Sequence, residues 1–550
     1  MAAPARLLTT IAAGASGGPH EARAMPIDPS TVVQVNVNLS GPGLTRPGFG
    51  TPLVLSNTGN AWATPELVRS YTKGSYATDF PAGTVENAIL GAIFAQPVPP
   101  VRAKVGKGSH KPTLVRTVLV QNAVDGATYT LRVWTGGVLW TASYTAGNVD
   151  TTTTIAAALV DQLTPSAWQN THAYIVGDRV LNDTGKIYEC ITAGTSAGSG
   201  GPTGTGQNIT DGTAHWKWIA TPNFAAANSG GPTVTATGAA TGAWFAIEPL
   251  ASGDQAAVSN LMRLTDTSTD PGVATDLDAL QLADPDWYEL VLAFKSSAIL
   301  STPSTGAAAW CEANGKLLVA CVSDTAAATT AYSGGTDVLH TLTGQAGTYT
   351  APQWHPRDYE FLDACTAGYF LPIAPGGDNW RLKTLVGPTP VNITPTQQTN
   401  LDARRAGYYV VLGGQNVLGG AGAVESTQYG FIDTRRNIDW YRTNLQVDLI
   451  DLEVQTNKLF NTIAGRRKVA TTIAARNQAG ITAGVISPDP LDPTNAQAPV
   501  MEPFTVSVPA PVAGTDPNFD ATTRTLSGIT TSWKLASPIN AMVVTVNVSQ

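Results

Sequence analysis

Charge is the first thing this sequence is short of: Asp, Glu, Lys and Arg supply 13% of its 550 residues, against about 25% in an average globular chain. Disorder driven by charge is excluded, because the hydrophobic share is an ordinary 43% and Thr, Ser, Asn and Gly supply the missing polarity. The net charge is −8, which excludes a protein whose main task is coating nucleic acid, and no specific nucleic acid is expected as a partner. So lightly charged a surface suits a subunit packed against copies of itself, since burying few charges limits the desolvation cost of large interfaces.

Cysteine is scarce as well. Cys190, Cys311, Cys321 and Cys365 stand far apart with no C-x-x-C and no Cys/His cluster, which excludes a zinc site of that kind and a disulfide framework and leaves a reducing compartment as the default. The six histidines are scattered, and no pair has ligand spacing. There is no Walker A loop, no G-x-G-x-x-G between a strand and a helix, and no H-E-x-x-H, so neither a cofactor nor a metal is expected. No apolar run approaches the roughly 18 residues that span a bilayer. Two G-x-S-x-G matches exist, at 14–18 and 194–198. A hydrolase nucleophile needs a strand before this motif and a helix after it. The first match lies in the N-terminal tail and the second, around Ser196, runs into a glycine-rich loop, so an enzyme is not expected.

What is present is alternation, above all at the two ends. Val33, Val35, Val37 and Leu39 alternate with Gln34, Asn36 and Asn38, and Val544, Val546 and Val548 alternate with Thr545, Asn547 and Ser549. Each pattern is a strand with one face to bury. A clean amphipathic strand at a chain end needs a sheet to join, either in its own subunit or by β-augmentation of a neighbouring copy. Residues 1–30 read as a disordered extension, with Met25 as an alternative start of the functional chain.

Between the ends the sequence divides into four parts. Residues 31–110 hold the first strand arm and a small α/β unit, in which Val85, Ile89, Ala92 and Ile93 form the stripe of a helix. Residues 111–254 are β-rich, with a helix over 151–163 for which Asp150 is the expected N-cap and a strand over 233–247. This part is interrupted at 165–228 by an inserted module of different texture. Residues 255–430 alternate apolar strands, such as 288–294 and 317–322, with Ala-rich helices, as an α/β core does. Residues 431–550 carry a long helix over 433–460, whose Ile438, Tyr441, Leu445, Leu449 and Leu452 share one face, then a helix over 468–479, a Pro-rich connection and the closing strands.

Positive charge is concentrated twice, at Arg102, Lys104, Lys107, Lys111 and Arg116, and at Arg466, Arg467 and Lys468 with Arg476. Such runs are solvated faces or docking surfaces for an acidic partner.

Several stretches together carry a family resemblance. They are Thr51-Pro52-Leu53-Val54-Leu55 after the strand arm, Phe80-Pro81-Ala82-Gly83 opening a helix that reaches Phe94-Ala95-Gln96, and Tyr429-Gly430-Phe431-Ile432-Asp433-Thr434-Arg435. Further on come Ile438-Asp439-Trp440-Tyr441, Ala479-Gly480, Gly484-Val485-Ile486-Ser487-Pro488 and the closing strand. In this order they resemble the tail sheath proteins of contractile-tailed bacteriophages, over most of 25–550 except the insert. The resemblance implies a multidomain α/β and α+β chain with a mixed-sheet core and exchanged terminal strand arms. It implies a structural subunit that stacks as six-subunit rings around a tail tube and contracts to drive the tube through the host envelope. The implied partners are further copies of the chain, the tube protein, and baseplate and tail terminator proteins. The implied location is the virion tail, assembled in host cytoplasm, with Arg466, Arg467 and Lys468 facing the tube.

The insert resembles a small all-β chitin-binding-type carbohydrate module through Trp168, Tyr174, Gly177-Asp178, Val180, Tyr188, Trp216 and Trp218. That resemblance implies surface glycans as ligands stacked on Trp168, Tyr174, Tyr188, Trp216 and Trp218. The same aromatics can instead form the core of so small a module. A contractile sheath, an adhesin-like glycan binder and a hydrolase are therefore the competing classes, and the strand at each terminus favours the first.

Overall fold

The computed structural model describes residues 48–60, 62, 65–251, 260–420, 430–488 and 502–538. Both terminal strands expected from the sequence, at 33–39 and 544–548, lie outside these residues, as does the first G-x-S-x-G.

The chain enters through β1 (Pro52–Ser56), β2 (Val68–Tyr71), α1 (Val85–Phe94) and β3 (Ala103–Lys107). Thr84 caps α1 by accepting the Asn87 amide on its hydroxyl, and Ile89, Leu90 and Ile93 are fully buried beneath it.

The β domain opens with β4 (Val115–Val120), β5 (Thr128–Thr135), β6 (Val138–Thr145) and α2 (Thr152–Leu163). β4 and β5 alternate half-buried and buried residues along their length, as strands with one covered face do. The cap of α2 is Thr151, not Asp150: its hydroxyl accepts the Thr154 amide and the Thr154 side chain returns to the Thr151 amide. Asp150 instead ties the preceding turn, accepting from the Gly147 amide and the Tyr144 hydroxyl.

The inserted stretch folds as β7 (Ala173–Tyr174), β8 (Arg179–Asn182), β9 (Lys186–Thr192), β10 (Gly194–Thr195), β11 (Ile209–Asp211) and β12 (Ala214–Ala220). Four of these strands form one antiparallel sheet in the order β11-β12-β9-β8. β13 (Phe224–Ala227) falls inside the 165–228 boundary read from the sequence, yet it pairs along its whole length with β14 (Thr233–Gly238) of the β domain. The insert therefore closes before residue 224. Its entry and exit are neighbours, for the Thr164 hydroxyl accepts the Ala226 amide at 2.9 Å.

The strand expected over 233–247 is two strands, β14 and β15 (Phe245–Ala251), parted by a turn in which Gly242 takes a φ of 80° against the Thr58 backbone. With β16 (Met262–Asp266) the β domain holds two sheets, β13-β14-β4-β16 and β15-β5-β6.

The α/β core resumes with α3 (Val273–Ala283), β17 (Glu289–Leu292), α4 (Ser297–Ser301), α5 (Ala307–Asn314) and β18 (Leu317–Val322). It continues through α6 (Ala326–Thr329), α7 (Val338–Gln345), β19 (Thr350–Trp354), α8 (Leu362–Phe370), α9 (Pro395–Ala403), β20 (Gly407–Leu412) and β21 (Gln415–Gly419). Eight strands join as β2-β3-β1-β17-β18-β19-β20-β21, parallel from β3 to β20 and antiparallel at both edges. β17 and β18 are buried at every residue, the pattern of parallel strands covered on both faces. Helices α1 and α8 pack on each other and on this sheet, while α3, α5 and α7 pack against β3, β18 and β19.

Two long helices follow, α10 (Ile432–Gln455) and α11 (Ile463–Ala483), then β22 (Phe504–Ser507), β23 (Phe519–Asp520), β24 (Thr525–Leu526) and β25 (Thr530–Trp533). A separate core of Tyr441, Leu445, Val469, Ile473, Val485 and Ile486 holds this part together. The first half of α10 is buried on its polar sides too, through Arg435, Arg436 and Asp439. β22 and β25 form a two-stranded sheet with no further strand on either edge among the described residues.

Candidate functional site

An open parallel sheet takes ligands beyond the carboxyl ends of its strands, near the point where strand order reverses. Here the order reverses at β1, flanked by β3 and β17, and the protein's own β domain fills the place. The Trp244 indole donates to the Ala293 carbonyl just beyond β17 at 2.8 Å. Arg116 of β4, 1% exposed, pairs with Asp358 beyond β19, and Lys295 beyond β17 pairs with Asp363 at 2.7 Å. Glu248 of β15 accepts from Arg132, Arg357 and the Tyr359 hydroxyl. What space remains beside Arg116, Asp324 and Asp358 amounts to about 10 Å³, room for about one water molecule.

The charges in this junction are set by burial and by one another. Burial disfavours the charge of Lys295, yet Asp363 and Asp358 hold its pKa above the ordinary lysine value. Asp358 sits below the usual carboxylate range despite burial, because Lys295 and Arg116 flank it. Burial pushes Asp324 up to about 6 and His355 down to about 4. The junction is thus a set of interlocked ion pairs between two parts of one chain, with no open cleft.

Glu289 of β17 is the unbalanced member. It is fully buried, neither carboxyl oxygen has a hydrogen-bond partner among the described residues, and burial, reinforced by Asp363, raises its pKa well above 4.5. The folded chain therefore holds a proton there that the unfolded chain gives up above 4.5, so stability falls as pH rises from that value toward the folded pKa. A Glu289→Gln variant is expected to melt higher than the parent near neutral pH, with the difference vanishing below 4.5. Melting curves of the two across that range check it, and equal melting temperatures near neutrality would show that the carboxyl is not held neutral.

The remaining candidate residues are placed as follows. Ser196 follows a two-residue strand rather than entering a helix, and its hydroxyl donates to the Gln169 carbonyl and accepts the His172 amide, so no nucleophile elbow forms. In the insert, Tyr174, Tyr188 and Trp216 are core residues with Val180, Cys190 and Ala214, and Trp168 and Trp218 pack half-buried against them. The Trp168 and Trp216 indoles both donate to Asp211, and the backbone at Gly201 lies against the Trp168 ring. Of the two readings open for these five, Tyr174, Tyr188 and Trp216 take that of the module's core, with Trp168 and Trp218 half-buried against them.

The first basic group does not form one face: Arg102 and Lys111 are exposed, whereas Lys104 and Arg116 are buried. Lys104 is 3% exposed and pairs with Asp284, Arg102 pairs with Asp286, and Arg116 is locked into the junction. In the second group Arg466 is buried and pairs with Asp516, with a further bond to the Pro509 carbonyl, whereas Arg467 and Lys468 are exposed. A surface role for Arg466 is overturned, because α11 turns it toward the chain that follows.

One set of buried polar residues carried no sequence signal of function. Asp439 of α10 accepts the Tyr288 and Tyr349 hydroxyls at 2.9 and 3.1 Å and pairs with Arg435. Arg436 binds Asp378 and the Leu371 and Ile373 carbonyls. Only Arg435 and Asp439, four apart on a helix, could have been paired from sequence.

No family model and no curated protein matches the chain. Among solved structures, the sheath tail protein Lin1278 from Listeria innocua superposes with a TM-score of 0.36 at 8% identity, over 84% of this chain and 90% of that one. A chain of the anti-feeding prophage baseplate, solved by cryo-electron microscopy with six-fold symmetry, superposes with a TM-score of 0.34 at 13% identity, over 50% of this chain and 73% of that one.

Proposed function

We propose that this chain is a structural, non-enzymatic subunit of a contractile tail sheath that polymerises through its terminal strands. The observation that carries this is β22–β25. A two-stranded sheet is marginal in water by itself, and each of its strands alternates half-buried and exposed residues, leaving two edges to be extended. The chain supplies two stretches of alternating apolar and polar residues, at 33–39 and 544–548, suited to extending such edges in a neighbouring copy. Head-to-tail exchange of this kind propagates stacked rings, and the filled ligand crevice suits a protein whose work is packing.

On the same reading, Arg467 and Lys468 face the tube and the insert projects from the outer surface. The buried aromatics give no support to a glycan platform, so the insert is a passenger of the lattice. Electron microscopy of the purified chain tests the set: cylinders from the full chain, none from a chain lacking 540–550, and cylinders again from a chain in which a short Gly/Ser linker replaces 166–222. Reversing Arg467 and Lys468 to glutamate should reduce sheathing of tubes. Normal cylinders without the last eleven residues would sink the proposal.

A further inference from the structure

We infer that the groove between α10 and α11 is a docking site for the same groove of a second copy, joined about a two-fold axis before assembly. The groove measures about 940 Å³. One wall, from α10, carries Asp448 and Asp451, and the other, from α11, carries Arg467, Lys468 and Arg476. Asp448 is already satisfied, since Arg476 binds it through two nitrogens at 2.6 and 2.7 Å. Among the described residues Asp451, Arg467 and Lys468 make no ion pair, and all three are exposed.

The arrangement of charge selects the occupant. A partner bearing one sign of charge would satisfy one wall and be repelled by the other. A two-fold axis running through the groove instead sets Asp451 of each copy against Arg467 of the other, which is the self-complementarity an isologous contact requires. Ala464, Ala475 and Ala479 line the α11 wall, and side chains this small let helices approach closely. At the tip of the hairpin Val454, Phe460 and Ile463 are 77%, 57% and 58% exposed. Covering apolar surface of this kind supplies the driving force, while the exposed charge pairs, individually weak, fix orientation and register.

The inference does not depend on the sheath reading. If both hold, the dimer is a store of unassembled subunits, and a tube competes with the second copy for Arg467.

Sedimentation of the full chain over a dilution series at low salt is expected to show a reversible monomer–dimer equilibrium. Arg467→Glu should weaken the dimer about tenfold, and the exchange Asp451→Lys with Arg467→Glu should restore it to within about threefold of the parent. Both positions are exposed, and circular dichroism confirms that each variant is folded. A chain that stays monomeric, that passes to larger polymers without a dimer, or whose dimer is indifferent to Arg467→Glu overturns the inference. So does an exchange variant no tighter than the single one. Loss of cylinders in the 540–550 deletion leaves this outcome untouched, so the two readings fail separately.

Discussion

An Asp439→Ala variant is expected to lose about 3–5 kcal/mol of stability, the range found when one partner of a buried ion pair is removed. Asp439 is fully buried and Arg435 is 2% exposed on its side chain, so truncation takes the neutralising carboxylate away from a buried guanidinium. It also leaves the hydroxyls of Tyr288 and Tyr349 without their acceptor. Those tyrosines immediately precede β17 and β19, so the loss loosens the grip of α10 on the central sheet. Asp439→Asn should cost less, because an amide oxygen still accepts from a phenol. A paired change, Arg435→Met with Asp439→Leu, should recover part of the loss, since apolar residues of similar volume replace buried ion pairs at little cost. Urea midpoints of the four proteins check the order, and a parent-like midpoint for Asp439→Ala would show that α10 is held by its apolar face alone.

The second large effect is expected at the junction of the β domain with the core. Asp358→Ala removes the principal partner of Arg116, which keeps Asp266 at 3.7 Å and the Ser323 hydroxyl at 3.1 Å, while Lys295 keeps Asp363. A loss of about 3 kcal/mol or more is expected. It should fall on one interface, because Arg116 belongs to β4 and Asp358 to the core. Hydrogen exchange should therefore quicken in β4 and β16 before it does in β17 and β18. The pH dependence has a definite sign. The folded pKa of Asp358 lies below its ordinary 3.8, so its contribution is complete above that value and is lost as pH falls through the folded one. Variant and parent should converge in acid. Uniform acceleration of exchange across both domains would refute a local role.

The same two sites show why part of this molecule was legible from sequence and part was not. β18 stands out as an unbroken apolar run and β17 as one interrupted only by Glu289, because a parallel strand covered on both faces has little polar side to show. The stripe on α10 was visible for a similar reason: Ile438, Tyr441 and Leu445 recur with the helical period and are buried, with Leu449 and Leu452 half-buried beyond them, although polar residues of the first half of the helix are buried as well. Arg116 and Asp358 are 242 positions apart, and nothing local distinguishes an arginine destined for a buried pair from one left in water. Lys104 and Arg116 in the basic run at 102–116, and Arg466, were read as surface charges for that reason, although they are buried.

The sequence by itself determined the mixed α/β character of this protein and the alternation of its β domain, because both rest on periodicity within a few consecutive residues. Only the tertiary structure decided which charges face inward, that β13 belongs to the β domain and not to the insert, and that Tyr174, Tyr188 and Trp216 form a core instead of a platform. Those outcomes depend on contacts between distant segments, and burial at such contacts, unlike periodicity, is a property of the neighbours a residue acquires and not of the residues beside it in the chain.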